Sequence, residues 1–178
     1  MNGKALLVVD VQLMPFVWKD YGGKAIHGEE RLLANIAGLA DRARAAGSPV
    51  VYLQYTEGDD SHRGLGKPLW GIHPAVSPKP GDIAVAKYHA DPFRGTNLHG
   101  RLQDMGVDGL VITGVQTEYC VDTAFRTAYS LGYRNTLVTD GHGTYDSDSL
   151  TAEQIIAHHN KVIGELFAEP RAADAVVF

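Results

Sequence analysis

Short, continuously apolar runs alternate along the chain with longer segments whose apolar residues recur at helical spacing. The runs at residues 5–10, 49–55, 83–86, 109–114, 135–140 and 175–178 read as strands buried on both faces. Between the first two, residues 30–46 place Leu32, Leu33, Ile36, Leu39, Ala40 and Ala43 on one stripe and stop at Gly47, a residue favoured just past a helix end. Leu98, Leu102 and Met105 repeat the scheme before Gly106. Val121, Ala124, Phe125 and Ala128 do so after Cys120, with Gly132 closing that helix. The last helix has the clearest start: Thr151 as N-cap, Gln154 as its capping-box partner, and Leu150 placed to staple onto Ile155. This alternation predicts an α/β fold on a mostly parallel sheet. Residues 56–82, rich in Gly, Pro and Asp, are too long for an ordinary connection and read as a functional loop or a flexible insertion.

A length of 178 residues fits one domain, spanning 1–178. Sixteen Lys and Arg against 21 Asp and Glu give a net charge of −5, which excludes the cationic surface that nucleic acid requires. No apolar run approaches a membrane span. The N-terminal residues show neither a signal-peptide core nor a cleavage site, so the expected location is cytoplasmic. Cys120, the single cysteine, can make no intrachain disulfide and no structural metal site by itself.

In an open parallel sheet, ligands bind beyond the carboxyl ends of the strands, so polar residues that end apolar runs are the first candidates. Asp10 ends LLVVD, Lys87 ends IAVAK, and Cys120 follows VITG and opens the next helix. If their strands are neighbours, the three converge at one rim. A cysteine at a helix N-terminus beside a lysine is biased toward the thiolate, and a carboxylate within reach can move the protons of an acyl transfer.

LLVVDVQ, AVAKYHADPFRGTNL and VITGVQTEYCVDTAFRTAYSLGY, followed by VTDGHGT, resemble the isochorismatase-like cysteine hydrolases, a family that includes nicotinamidases and other amidohydrolases. The match runs from residue 5 to about residue 145, and the segment around the cysteine is its most specific part. The resemblance implies Asp10 as general acid/base, Lys87 as charged partner and Cys120 as nucleophile. It further implies a cis peptide at Val115–Gln116 and an oxyanion hole from the backbone N–H groups of Gln116 and Cys120. Relatives that lack the cysteine hydrolyse a vinyl ether by acid catalysis. Keeping Cys120 favours a C–N bond: amide, carbamoyl or lactam.

Nicotinamidases of this family carry a D-x-H…H metal site just after the second strand, where this chain has Tyr55 and Glu57. Asp60, His62 and His73 lie out of register with that motif, so neither metal nor other cofactor is expected. The tryptophan before an I-H-P step recurs as Trp70-Gly-Ile-His73-Pro, making Trp70 and His73 candidates for one pocket wall. Phe16 and Trp18 are candidates for the opposite wall, and Gln54 for a polar contact to the substrate. His142 is given no catalytic role by the resemblance and reads as a structural or supporting group.

The combined expectation is a three-layer α/β/α sandwich with a six-stranded parallel sheet in Rossmann-like order 3-2-1-4-5-6. The resemblance implies a homo-oligomer acting on a small amide-like molecule, in a metal-free branch that includes streptothricin-hydrolase-like enzymes. Competing readings are a catalytically silent or redox-sensing protein on this fold, and a metal-dependent nicotinamidase. A silent module is expected to lose one of the three residues, and a redox sensor commonly needs a resolving cysteine.

Overall fold

In the computed structural model, which describes residues 3–178, five of the six predicted apolar runs are strands. The strands are β1 (Gly3–Val9), β2 (Val50–Tyr55), β3 (Ile83–Lys87), β4 (Val107–Val115), β5 (Arg134–Gly143) and β6 (Glu169–Arg171). They form one sheet in the order β3-β2-β1-β4-β5-β6, every neighbouring pair parallel. The helices are α1 (Leu13–Val17), α2 (Glu29–Ala45), α3 (Leu98–Asp104), α4 (Asp122–Ser130) and α5 (Ala152–Leu166).

Side chains alternate across the pleat, and this builds two apolar layers. Leu6 and Val8 of β1 pack with Tyr52, Val111 and the stripe of α2. Ala5, Leu7 and Val9 face the other way, onto Leu98, Leu102, Phe125, Ala128 and Ile163 of the remaining long helices. All six stripe residues of α2 are buried. At about 1.5–3 kcal/mol for each fully buried Leu or Ile, this burial holds the helix in place far more than intrinsic propensity does. The capping box of α5 is present: Thr151 Oγ1 accepts the Gln154 N–H at 3.2 Å and Gln154 Oε1 accepts the Thr151 N–H at 2.9 Å.

The expected sixth strand at 175–178 is displaced. The strand is Glu169–Arg171, paired with Thr136 to Val138 of β5, and all three of its residues are exposed. Pro170 is tolerated there because an edge strand need not donate on both sides. The apolar run after it instead starts in a 3₁₀ turn (Ala173–Ala175), and Ala173 and Val176 pack into the α2 layer. Apolar character at the C-terminus therefore marks a plug over the core, not a strand.

The sheet order reverses between β1 and β4, where a crevice opens at the strand ends. The two backbones nearly touch there. Gly114 has φ +129°, and a Cβ on it would lie 2.0 Å from the Val9 carbonyl oxygen. Residues 56–82 are not a free insertion. They contain two 3₁₀ turns, Pro68–Trp70 and Pro74–Val76, and bridge back through Ile72 to Gln12.

Candidate active site

The three strand-end residues meet at this crevice. Asp10 follows β1 with φ +52°, a left-handed conformation uncommon outside glycine but accessible to aspartate. Lys87, the last residue of β3, is completely buried. Its ammonium donates to Asp10 Oδ2 at 2.8 Å, to the carbonyls of His89 at 3.1 Å and Ala90 at 3.5 Å, and to Cys120 Sγ at 3.4 Å. The Tyr55 ring lies 5.0 Å below it, a cation–π contact. Cys120 sits in a π-helical turn, Thr117–Val121, that leads into α4. The turn is gathered on one acceptor, the Gln116 carbonyl, which takes the N–H groups of Tyr119 and Val121, each at 3.2 Å. The Val115–Gln116 peptide is cis, at the position the resemblance implies.

Burial governs the protonation of this group. It raises the Asp10 carboxyl above the usual carboxylate range, opposed by the Lys87 charge and by hydrogen bonding with Cys120 and Lys87. Burial also pushes the Cys120 thiol up to about 12; the Asp10 charge reinforces this, and Lys87 only partly offsets it. Burial thus works against the thiolate that a helix terminus and a lysine favour. One lysine cannot compensate two buried anions, and its charge is already matched by Asp10. The arrangement is a neutral thiol beside an ion pair. Asp10 Oδ1 is buried and has no conventional hydrogen-bond partner among the described residues.

The group opens into a cavity of about 760 Å³. Asp10, Gln116 and Cys120 line its floor. Of the residues expected to shape the pocket, Trp18 lines it and Phe16, Gln54, Trp70 and His73 do not. Phe16 is in the core, with the His73 ring 5.0 Å away. His73 Nδ1 accepts the Ala75 N–H, Trp70 Nε1 donates to Thr56 Oγ1 at 2.9 Å, and Gln54 Nε2 donates to the Trp70 carbonyl at 3.3 Å. Phe16 is held by core packing, and the polar atoms of Gln54, Trp70 and His73 find partners within the β2 end and the loop that follows it, behind the wall. The wall itself comes from Tyr21, Tyr55, Arg63, Tyr119 and Tyr145 among others. Asp60 and His62 line the cavity while His73 does not, and among the described residues no group of three metal-ligating side chains is gathered.

Gln12 is the supporting residue that pattern alone does not reveal. It is 3% exposed. Its Nε2 donates to the carbonyls of Tyr55 at 3.1 Å and Trp70 at 2.7 Å, while its Oε1 accepts the Tyr55 N–H at 2.8 Å. Its only signal is its place, two residues after Asp10 in LLVVDVQ.

A model of the isochorismatase domain matches residues 4–164. A streptothricin hydrolase of Streptomyces noursei is 41% identical over 143 residues, covering 80% of this chain and 50% of that protein. The chain thus spans about half the length of the curated streptothricin hydrolases it matches. The ureidoacrylate amidohydrolase RutB of Agrobacterium fabrum is 30% identical over 168 residues, covering 76% of this chain and 74% of that one. Among solved structures, an isochorismatase from Pseudomonas putida KT2440 superposes with a TM-score of 0.87 at 27% identity, over 99% of this chain and 91% of that one. No helix among the described residues is long and apolar enough to cross a membrane. With the domain match covering most of its length, the same sheet order and relatives at this identity, the chain belongs to the isochorismatase family of hydrolases.

Proposed function

We propose that the protein is a cysteine hydrolase that cleaves the C–N bond of a small amide, carbamoyl compound or lactam through a thioester. The observation that carries this reading is the Cys120 thiol held between Lys87 and Asp10 at the floor of the cavity. The reaction starts from the neutral thiol. As Cys120 Sγ attacks the carbonyl carbon, its proton passes to Asp10, whose burial favours the protonated carboxyl. Lys87 keeps the carboxylate ionised until then and compensates the charge on sulfur.

The tetrahedral oxyanion is received by the backbone N–H groups of Gln116 and Cys120, a kind of donor whose removal typically costs about 3–4 kcal/mol of transition-state stabilisation. Collapse breaks the C–N bond as Asp10 returns its proton to the leaving nitrogen. Water then attacks the thioester, Asp10 takes the water's proton, and the carboxylic product leaves as sulfur is reprotonated. Support for C–N substrates comes from the named relatives, one a streptothricin hydrolase and one a ureidoacrylate amidohydrolase. The occupant of the site is a small molecule held in a cavity whose wall combines tyrosines with charged side chains, and the working form is a homo-oligomer.

The test is an ammonia-release screen across nicotinamide, ureides, carbamoylated amino acids and cyclic lactams, with intact-mass detection of the acyl-enzyme and of ring-opened products. Release by the wild type from one class, lost in Cys120→Ala, supports the proposal. Turnover retained by Cys120→Ala refutes it.

A further inference from the structure

Behind the turn that carries Cys120 runs a buried polar chain that no step above uses. β5 pairs with β4 at Leu137 opposite Ile112 and resumes with His142 opposite Gly114, so β5 carries extra residues at this point. The offset brings His142 beside the end of β4, where the Cys120 turn begins, and leaves it 3% exposed.

The polarity of the chain follows from one end. Asn160 of α5 donates Nδ2 to the Thr139 carbonyl at 3.0 Å, a partner that can only accept. Its Oδ1 therefore faces His142 Nε2, at 2.9 Å, and Nε2 carries the hydrogen. Burial lowers the ring's pKa to about 4; Asn160 opposes this, His159 of α5 adds to it, and Asp140 of β5 opposes it. The ring is neutral near pH 7, so Nδ1 is bare and accepts the Thr117 hydroxyl at 2.9 Å. Thr117 is completely buried and is the first residue of the turn. One residue on, Glu118 Oε1 accepts the Thr144 hydroxyl at 2.9 Å, tying the same turn to the segment after β5.

We propose that the Asn160–His142–Thr117 chain holds the π-helical turn in the orientation that aims Cys120 Sγ, and the N–H groups of Gln116 and Cys120, at the substrate carbonyl. This rests on the cysteine-hydrolase reading. His142 and Thr117 are positioning residues, and their effect belongs to the transition state: a displacement of the order of 1 Å at a reacting group can cost about 100-fold in rate.

Thr117→Val keeps the shape of the side chain and removes the donor, while Thr117→Ser keeps the donor. The expected result for Thr117→Val is a fall in kcat of about 10- to 100-fold with KM little changed, and slower alkylation of Cys120 by iodoacetamide. Thr117→Ser restores both. Full activity and alkylation rate in a folded Thr117→Val protein, or equal losses in the Ser variant, overturn the proposal. The wild-type protein gives a check that needs no variant to fold: nitrogen-15 NMR is expected to show His142 protonated on Nε2 only, and the opposite tautomer or an imidazolium at neutral pH overturns the chain's polarity. Iodoacetamide reads the turn without a substrate. If the wild type released no ammonia from any amide, the functional reading would fail while the alkylation ratio still decided this one.

Discussion

Replacing Lys87 with methionine removes a charge that nothing else near Asp10 supplies. The stem volume is kept, so the effect is electrostatic. Lys87 is completely buried and its Nζ lies 2.8 Å from Asp10 Oδ2. Leaving one member of such a pair unpaired costs about 3–5 kcal/mol, a large share of the roughly 5–15 kcal/mol that holds a typical domain folded. The cost depends on pH through Asp10. Burial already raises its carboxyl from the ordinary 3.8, and the Lys87 charge is the strongest influence holding it down. In Lys87→Met the folded-state pKa therefore climbs further. A carboxyl whose folded pKa exceeds its unfolded one contributes stability that is complete below the unfolded value and is lost as pH rises through the folded value. The variant's deficit is thus small in acid and grows toward neutrality. Urea unfolding of both proteins between about pH 5 and 8 measures this directly, with turnover abolished because the Asp10 carboxyl, without the Lys87 charge, ionises less readily. A deficit below about 1 kcal/mol at neutral pH, or one that is flat across the range, would refute the description of Asp10 and Lys87 as a buried pair. Asp10→Asn combined with Lys87→Met removes both charges and is expected to recover most of the stability and none of the activity.

Because the Cys120 thiol is held protonated up to about 12, its alkylation rate is expected to keep rising with pH through the alkaline range, and a plateau reached near neutrality would show a resting thiolate instead. Gly114→Ala places a methyl 2.0 Å from the Val9 oxygen at a φ of +129° and is expected to prevent folding. Gly100→Ala, in α3 with nothing within 4 Å of the new methyl, is expected to stabilise by up to about 1 kcal/mol in thermal unfolding.

What the sequence made legible was whatever a periodic burden of apolar side chains enforces. The α2 stripe, the Thr151 capping box and the β1 to β5 runs follow from local rules that the tertiary structure reinforces. Asp10 and Lys87 were legible because each ends such a run, and Cys120 because it is the single cysteine, opens the next helix and lies in the most specific segment of the resemblance. The pocket wall was not, because Trp70 and His73 are aromatic in a loop whose fold decides whether an aromatic ring faces the cavity or the scaffold. Trp18 and Phe16 have opposite fates because residues two apart in a helical turn face opposite ways. Gln12 gives no signal of its own because a lone glutamine has no periodic partner, and its role exists only once two carbonyls from distant segments arrive beside it. The effect of burial on the Cys120 thiol is not legible along the chain, where the helix terminus and the lysine are visible and burial is not.

The clasp made by Gln12 has a consequence for how such an enzyme diversifies. The reacting groups ride on strand ends locked into the sheet, whereas the segment from Tyr55 to Trp70 is gripped by the Gln12 amide through main-chain atoms at both of its ends. Main-chain atoms are the same whatever the side chains are. The segment therefore behaves as an interchangeable cassette: its residues can turn over freely, reshaping what fits above the cysteine, while its attachment and the chemistry beneath it remain as they were.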